Sequence, residues 1–497
     1  MPAPQIDLAD SKMELAMGEK QTAEHRELDA TGYSEALAAL SPEEFRRLGR
    51  SATRKLDMWI MPPLILMFLF NFLDRQSISA AKLASIETDL NLSQTEYQTA
   101  VSILYVGYTI MQVPSNIFAA KIKWPGMYIC FAMAGWGVIS ACTGAVQSYP
   151  GLVVCRFFLG FFEAIYFPGA IFFLTTFYTK KQYATRLGLL YSGSLMGNAI
   201  GGLLAIGILK LDGKASIAGW RWLFIIEGAA TVLMGLVFAA ILPNQVKTTR
   251  ILSEVEREIV IARLKHEQGA QDNADEVGAL HASRLAVFDP KTWLILIMLA
   301  VVFLPNSVNN FFPSLVGSLG YSRTKTYLLT VPPWVFTMIT VTLSGNHSDK
   351  KRERTWHIIC PLVVCMAANV IAISTMNIAA RYVAMMFMPS MSYAAVVVIL
   401  SWGSEILSQP SVKRAAALAF INCMANTVNI WSPYLFIGPT FRLAFAVNLG
   451  ACVVVMLVAL GTRMYLRRKN AELDRGDLSA RGAPTKEQVD AGFRYVH

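Results

Sequence analysis

The sequence predicts an all-α membrane protein of twelve transmembrane helices, arranged as two six-helix bundles. Three observations carry that class. The 497-residue chain is 54% hydrophobic and only 16% charged, against about 25% charged in ordinary soluble domains. It holds many apolar runs near the roughly 20 residues that a helix needs to cross a bilayer. These runs fall six and six around a polar stretch at 244–290.

Residues 1–55 form an N-terminal tail, polar and weakly patterned over 1–40, as in disordered segments. It has no short apolar region with a cleavage site, so the first span is expected to act as an uncleaved anchor. Ser41-Pro42-Glu43-Glu44 reads as the start of a juxtamembrane helix. Ser41 can cap it, Pro42 suits its first position and Glu44 completes a capping box. The first bundle occupies 56–243, with runs at 58–80, 97–119, 126–146, 151–177, 187–209 and 221–243. In the central loop, 244–290, Ser253-Glu254-Val255-Glu256 precedes an apolar-periodic stretch to Leu264. That pattern predicts a capped amphipathic helix on the membrane surface or on the protein's inner face. The second bundle occupies 291–466, with runs near 292–314, 327–347, 356–376, 381–404, 414–437 and 443–465, and 467–497 form a C-terminal tail.

Orientation follows from Lys and Arg in short loops. With the N-terminus inside and the central loop left aside, inner segments hold twenty of these residues and outer segments eight. Both termini are therefore expected in the cytosol, with the protein in the plasma membrane. The acidic loop of Glu87, Asp89 and Glu96 then faces out, and Asn91-Leu92-Ser93 in it is a glycosylation sequon on the correct side. The net charge of +10 sits at the ends of apolar runs, without a basic stripe interleaved with aromatics, so no nucleic-acid partner is expected. All seven cysteines lie in or beside apolar runs, with no metal-ligand spacing to His. They read as reduced, buried packing residues, and no metal site is expected. No nucleophile–base constellation appears, so there are no catalytic residues and no enzyme.

Four charges interrupt the apolar runs. A charge at bilayer depth costs about 2.5–3.5 kcal/mol on insertion scales, so it persists where it faces a cavity or a partner. Arg156 and Glu163 lie seven apart in the fourth run, hence on one helix face and roughly 10 Å apart along the axis. Asp74 and Arg75 are adjacent in the first run, pointing about 100° apart, so they cannot share one partner. Burial disfavours a charged carboxyl, so these acids take up protons readily. A guanidinium keeps its charge and offers a fork to an anion. A fixed cation beside titratable acids is the minimum equipment for coupling a proton to an organic anion. In the second half, Asn306 and Asn310 lie four apart on one face, and Asn422, Asn426 and Asn429 form a stripe. They suit either substrate contact or interhelical hydrogen bonds. Glu227 is expected to pair structurally with Arg221, and His347 and His357 to lie at the surface.

The six-plus-six layout resembles the major facilitator superfamily. Asp74-Arg75 with Arg156 and Glu163 resembles its anion:cation symporter branch. NFLDRQSISAAKL, QVPSNI, RFFLGFFEA, GWRWLFIIEG and SLGYS with TVPPW look like its fungal allantoate, nicotinate and pantothenate permease-like members. The resemblance implies that Arg75 binds the substrate carboxylate and Glu163 is a protonation site. It implies that Asp74 is a second such site, or the acid that holds Arg156, and that Arg156 pairs with an acid when substrate is absent. Gly345, Asp349, Lys350 and Arg354 fit the family's conformational-switch loop, whereas its counterpart at Asn116–Trp124 lacks the Asp. Gly193 to Gly202 follow the family's antiporter motif with Asn198 in place of its Pro, or else form a small-residue packing face.

The expected activity is proton-coupled uptake of a small organic anion by alternating access. Substrate contacts would come from Arg75, Asn306, Asn310 and Asn426, and proton coupling from Glu163, Asp74 and Arg156. The partners are the anion and the lipid bilayer. The protein is expected to work as a monomer, with the proton gradient in place of a cofactor. The alternatives are proton-driven efflux of a metabolite or toxin, possible in a biosynthetic setting, and a non-transporting nutrient sensor.

Overall fold

A computed structural model describes Leu37, residues 40–119, 122–269, 284–407, 411–438, 441–475 and 494–496. Most of the expected N-terminal tail, Lys121, part of the central loop and most of the C-terminal tail lie outside the described residues. The rest is predominantly helical. The first bundle comprises α1 (Pro42–Ala84), α2 (Gln94–Ala119), α3 (Pro125–Thr143), α4 (Tyr149–Phe177), α5 (Lys180–Ile208) and α6 (Gly219–Ile241). Helix α7 (Glu254–Gly269) follows in the central loop. The second bundle comprises α8 (Pro290–Asn306), α9 (Arg323–Lys351), α10 (Thr355–Ser374), α11 (Ile378–Ile406), α12 (Ser411–Asn426) and α13 (Arg442–Asp474). A 3₁₀ turn at Ser307–Phe311 carries α8 on into Phe312–Gly317.

Ten described helices are long and apolar enough to cross a membrane. The expected second and eleventh spans, α2 and α12, are helices outside that set. Helix α12 has only 16 residues, and both helices are interrupted by polar side chains. Helix α2 carries Gln94, Gln98, Ser102 and Gln112, and α12 carries Lys413, Arg414, Asn422 and Asn426, because both line the seam between the bundles rather than face lipid alone. The bundle flanks expose Ile110 of α2 as well as Phe131, Leu233, Leu343 and Leu457, the surface that a bilayer covers.

The expected juxtamembrane helix and first span are one helix. Ser41 Oγ accepts from Glu44 N–H, and the Glu44 carboxylate accepts from Ser41 N–H at 3.1 Å, so the capping box forms where the sequence puts it. Helix α7 is also capped as expected, with Ser253 and Glu256 bonding reciprocally. It docks on the membrane-flanking part of α1, through Lys55 to Glu256 at 2.7 Å, Ser51 to Glu256 at 2.7 Å, and packing of Ile259 and Ala262 with Phe45 and Leu48. Cys142 and Cys360 are exposed on helix surfaces rather than buried. They fall on outward faces that α3 and α10 turn away from their neighbours.

The apolar cores show how the bundles meet. One core belongs to the first bundle, around Leu64, Trp136, Tyr166 and Phe173. Another belongs to the second, around Leu299, Leu362, Trp402 and Val455. A third joins the two at the end far from the chain termini, where Tyr97, Val101 and Phe224 pack with Val308, Phe312 and Phe436. Phe311 and Phe436 stack there at 4.4 Å. The hydrogen bonds that join described residues across the seam lie at this end or at the level of Tyr105. Gln94 and Gln98 donate to the Phe436 carbonyl at 3.1 and 2.9 Å. Tyr327 donates to the Ala80 carbonyl at 2.6 Å and Ser102 to the Ile430 carbonyl. The far end is thus sealed, and the terminus-bearing end has the two bundles built on separate cores.

Candidate functional site

Helices α1 and α4 bring Arg75 and Glu163 together at mid-bundle. Arg75 Nη2 and Nε both donate to Glu163 Oε2, at 2.7 and 2.9 Å. The guanidinium carbon lies 5.3 Å from the Phe72 ring, 5.2 Å from Tyr108 and 5.8 Å from Tyr105. Rings at these distances favour a cation electrostatically and shape the space around it. The Arg75 side chain remains 14% exposed while Glu163 is fully covered, so the cation is the accessible half of the pair. Glu163 Oε1, Arg156 Nη1 and Asn71 Nδ2 are buried without a hydrogen-bond partner among the described residues. Groups of that kind cost about 1–3 kcal/mol each unless something pairs with them.

The other two charges are held apart from that pair. Asp74 is buried and accepts from Ser140 Oγ at 2.6 Å and Thr231 Oγ1 at 2.7 Å, which ties α1 to α3 and α6. Arg156 donates to the Ala100 carbonyl at 3.3 Å and the Arg75 carbonyl at 3.4 Å. It forms no ion pair with Asp74 or Glu163 in this state. Backbone oxygens take the role that an acid was expected to fill.

Asn310 meets the pair's surroundings across the seam, since Tyr105 Oη donates to its Oδ1 at 2.9 Å. Asn306, one turn away, accepts from Asn309 Nδ2 at 2.9 Å and from Ser392 Oγ at 3.4 Å. Asn426 bonds along its own helix, to the Asn422 carbonyl at 2.8 Å. The arrangement can therefore present one cation, rimmed by aromatic rings and amides from both bundles, to an anionic ligand at the seam.

Residues 64–433 match the family model of the Major Facilitator Superfamily. The chain belongs to the major facilitator superfamily. Among its relatives is an MFS-type transporter, efuF, of Hormonema carpetanum, 30% identical over 438 residues, 86% of this chain and 87% of the relative. A major facilitator-type transporter of Emericella nidulans, hxnP, is 29% identical over 86% of this chain and 88% of its own length. In Agrobacterium vitis, a protein provisionally named as a tartrate transporter is 26% identical over 78% of this chain and 83% of its own. Among solved structures, a bacterial homologue of the human lysosomal transporter Spinster, inward-facing and unoccupied, superposes with a TM-score of 0.64. It is 17% identical and covers 81% of this chain and 94% of its own. A D-xylose–proton symporter superposes with a TM-score of 0.59 at 15% identity, covering 80% of this chain and 97% of its own. The protein is a multi-pass membrane transporter of this superfamily and not an enzyme. It binds a small-molecule substrate within a lipid bilayer.

The segment expected to act as a conformational-switch loop lies at the terminus-bearing end of α9. Arg354 is buried and donates to Asp349 at 2.5 Å, to Ser348 Oγ at 2.9 Å and to Glu405 of α11. Lys350 is exposed, and Gly345 has open space beside it. Asn91 is exposed, in left-handed backbone at φ 48°, and its sequon partner Ser93 is engaged in a capping box with Glu96. Glu227 does not pair with Arg221, which donates to the Gly144 and Val146 carbonyls. Instead Glu227 is buried against Ser77. His347 and His357 touch each other at 2.7 Å. In α5, Gly193 and Gly197 face the α1 backbone so closely that a Cβ would lie 2.5 and 2.8 Å from the Ile65 and Leu69 carbonyls, so these glycines serve helix packing. Sequence reasoning missed Tyr105 and Tyr108, whose i, i+3 spacing on α2 could have marked a shared face. It also missed Ser140 and Thr231, for which no local signal exists.

Proposed function

We propose that this transporter imports small organic anions together with protons, as a member of the anion:cation symporter branch and of its fungal permease-like group. The observation that supports this best is Arg75 engaged by Glu163 inside a ring of aromatic side chains. While Glu163 is ionised it occupies the guanidinium. A proton on Glu163 cancels the attraction and releases the Arg75 fork for a substrate carboxylate, which it grips with two parallel hydrogen bonds. Asn306, Asn310 and Asn426 would meet the rest of the anion from the second bundle. Release follows when Glu163 loses its proton and reclaims Arg75. Asp74 and Arg156 set the field around the pair.

In this reading the termini are cytosolic, the sealed end faces outside, and the protein works as a monomer in the plasma membrane with the proton gradient as its only driving agent. Asn91 would then be available to glycosylation. The provisional tartrate assignment of the Agrobacterium relative agrees with a carboxylate substrate. The test is uptake of radiolabelled small carboxylates into proteoliposomes with the external pH below the internal pH. Accumulation that collapses with a protonophore, and is lost in Glu163→Gln, is expected. Accumulation unaffected by the gradient, or substrate driven out against it, would overturn the import reading.

A further inference from the structure

A second buried carboxyl stands outside the Arg75–Glu163 site, at the sealed end. Glu227 of α6 lines a cavity of about 30 Å³ between the bundles. Gln76 and Ser77 of α1 and Asn198 of α5 complete the first bundle's side of it. Asn309 and Thr330 belong to the second bundle. The volume admits one or two waters and excludes an organic substrate, which needs some 300–1,000 Å³. Two lining side chains present unpartnered acceptors, Asn198 Oδ1 and Asn309 Oδ1, both on buried residues. The Nδ2 of each is committed, to the Ser194 carbonyl and to Asn306 Oδ1. The cavity therefore presents two unpaired amide oxygens beside Glu227.

The hydrogen count at Ser77 decides what the cavity holds. Its Oγ lies 2.7 Å from the Leu73 carbonyl and also contacts Glu227 Oε2. A hydroxyl has one hydrogen. If it goes to Leu73, the contact with Glu227 needs a hydrogen from the carboxyl. If it goes to Glu227, two acceptor oxygens face each other at the Leu73 carbonyl. Each contact has a hydrogen of its own when Glu227 carries a proton. No ion pair between described residues involves Glu227. The titratable groups that face it are Asp74, one turn back on α1, and Tyr327 on α9. Asp74 is an acid, and α3 and α5 contribute only neutral groups, so nothing there neutralises an ionised Glu227.

We infer that Glu227 is a second proton-binding site, loaded when the sealed end opens and required in its protonated form for that end to close. It extends, and rests on, the proton-coupled reading above, but concerns the gate rather than the substrate. The carboxylate takes up one proton from solvent when the second bundle withdraws Asn309 and Thr330. Closure then traps it as the neutral acid, with water bridging to the two amide oxygens. Raising the pH favours the ionised form, which only the separated arrangement hydrates, so alkalinity opens this end. For one proton the open-to-sealed ratio changes by at most about tenfold per pH unit.

The experiment uses full-length protein in nanodiscs without substrate, native cysteines replaced, and spin labels at Thr88→Cys and Thr324→Cys. The expected result is a distance distribution that lengthens as pH rises, that stays short at every pH in Glu227→Gln, and that still responds to pH in Glu163→Gln. An infrared band of a protonated carboxyl, present in the sealed wild type and absent from Glu227→Gln, should accompany it. A Glu227→Gln variant with an unchanged pH response overturns the inference, as does a response removed by Asp74→Asn alone. Closure driven by sodium at constant pH would replace the proton by a metal cation. Loss of proton-driven uptake in Glu163→Gln, with the gate response intact, bears on the substrate mechanism only.

Discussion

Arg75 is useful because of its shape as much as its charge. Lys at that position keeps the charge but loses the planar fork, so Arg75→Lys is expected to weaken substrate affinity at least about tenfold, read as a raised half-saturation in transport assays. Asp74 behaves differently, since both its oxygens are taken by hydroxyls of α3 and α6. Hydrogen bonds to a charged group contribute about 1.5–3 kcal/mol. Asp74→Asn keeps the shape but replaces one acceptor oxygen by a donor, so it should lower the thermal midpoint of the purified protein while leaving measurable substrate affinity. The sequence made these four charges legible as a cluster, because each interrupts an apolar run. It could not say which pairs form. Partner choice depends on side chains such as Ser140, Thr231, Tyr105 and Tyr108, which come from other helices and look ordinary where they stand.

At the scale of elements, close helix approach and docking dominate. A Cβ on Gly202 would lie 2.5 Å from Thr330 Oγ1 and 3.0 Å from the Tyr327 carbonyl, so α5 and α9 meet only because a side chain is missing. Gly202→Ala should therefore push the seam apart and lower the turnover rate, whereas Gly188→Ala, with open space around it, should leave transport unchanged. Helix α7 offers a separate test. Burial opposes ionisation of Glu256, but Lys55, the Ser253 N–H and Ser51 outweigh it and hold the carboxyl below its usual range. A carboxyl held low stabilises docking above its unfolded value and loses that contribution as pH falls through the folded one. Protection of α7 amides, taken relative to the intrinsic exchange rate, should thus fall as the pH drops below the ordinary carboxylate range, and Glu256→Gln should show that weaker protection already at neutral pH. Both capping boxes were readable from Ser-x-x-Glu spacing. The surface that receives α7 was not, because an amphipathic stripe does not name its partner.

For the whole molecule, the sealed end and the separately built cores describe one of two arrangements that the same sequence must support. The class, the six-plus-six order and the polar character of the seam were legible, since hydropathy and spacing carry them. Which end is closed was not, because the residues at the seam have to fit both arrangements. Cysteines at Gln98 and Phe436, whose parent residues bond across the seam, should accept a short cross-linker. Linking them should stop turnover, and cleaving the linker should restore it.

The seal has an uneven grammar. Its side-chain donors, Gln94, Gln98, Ser102 and Tyr327, reach for the backbone carbonyls of Phe436, Ile430 and Ala80. A carbonyl is supplied by every amino acid, whereas a donor of the right length is supplied by few. Tolerance to substitution should therefore be lopsided. In a saturation library selected for transport, the donor positions would admit few replacements, while Ile430 and Ala80 would be constrained only by size and apolarity. Two surfaces that must part and rejoin on every cycle can drift in sequence at the acceptor positions, which lie on both bundles, without losing their fit.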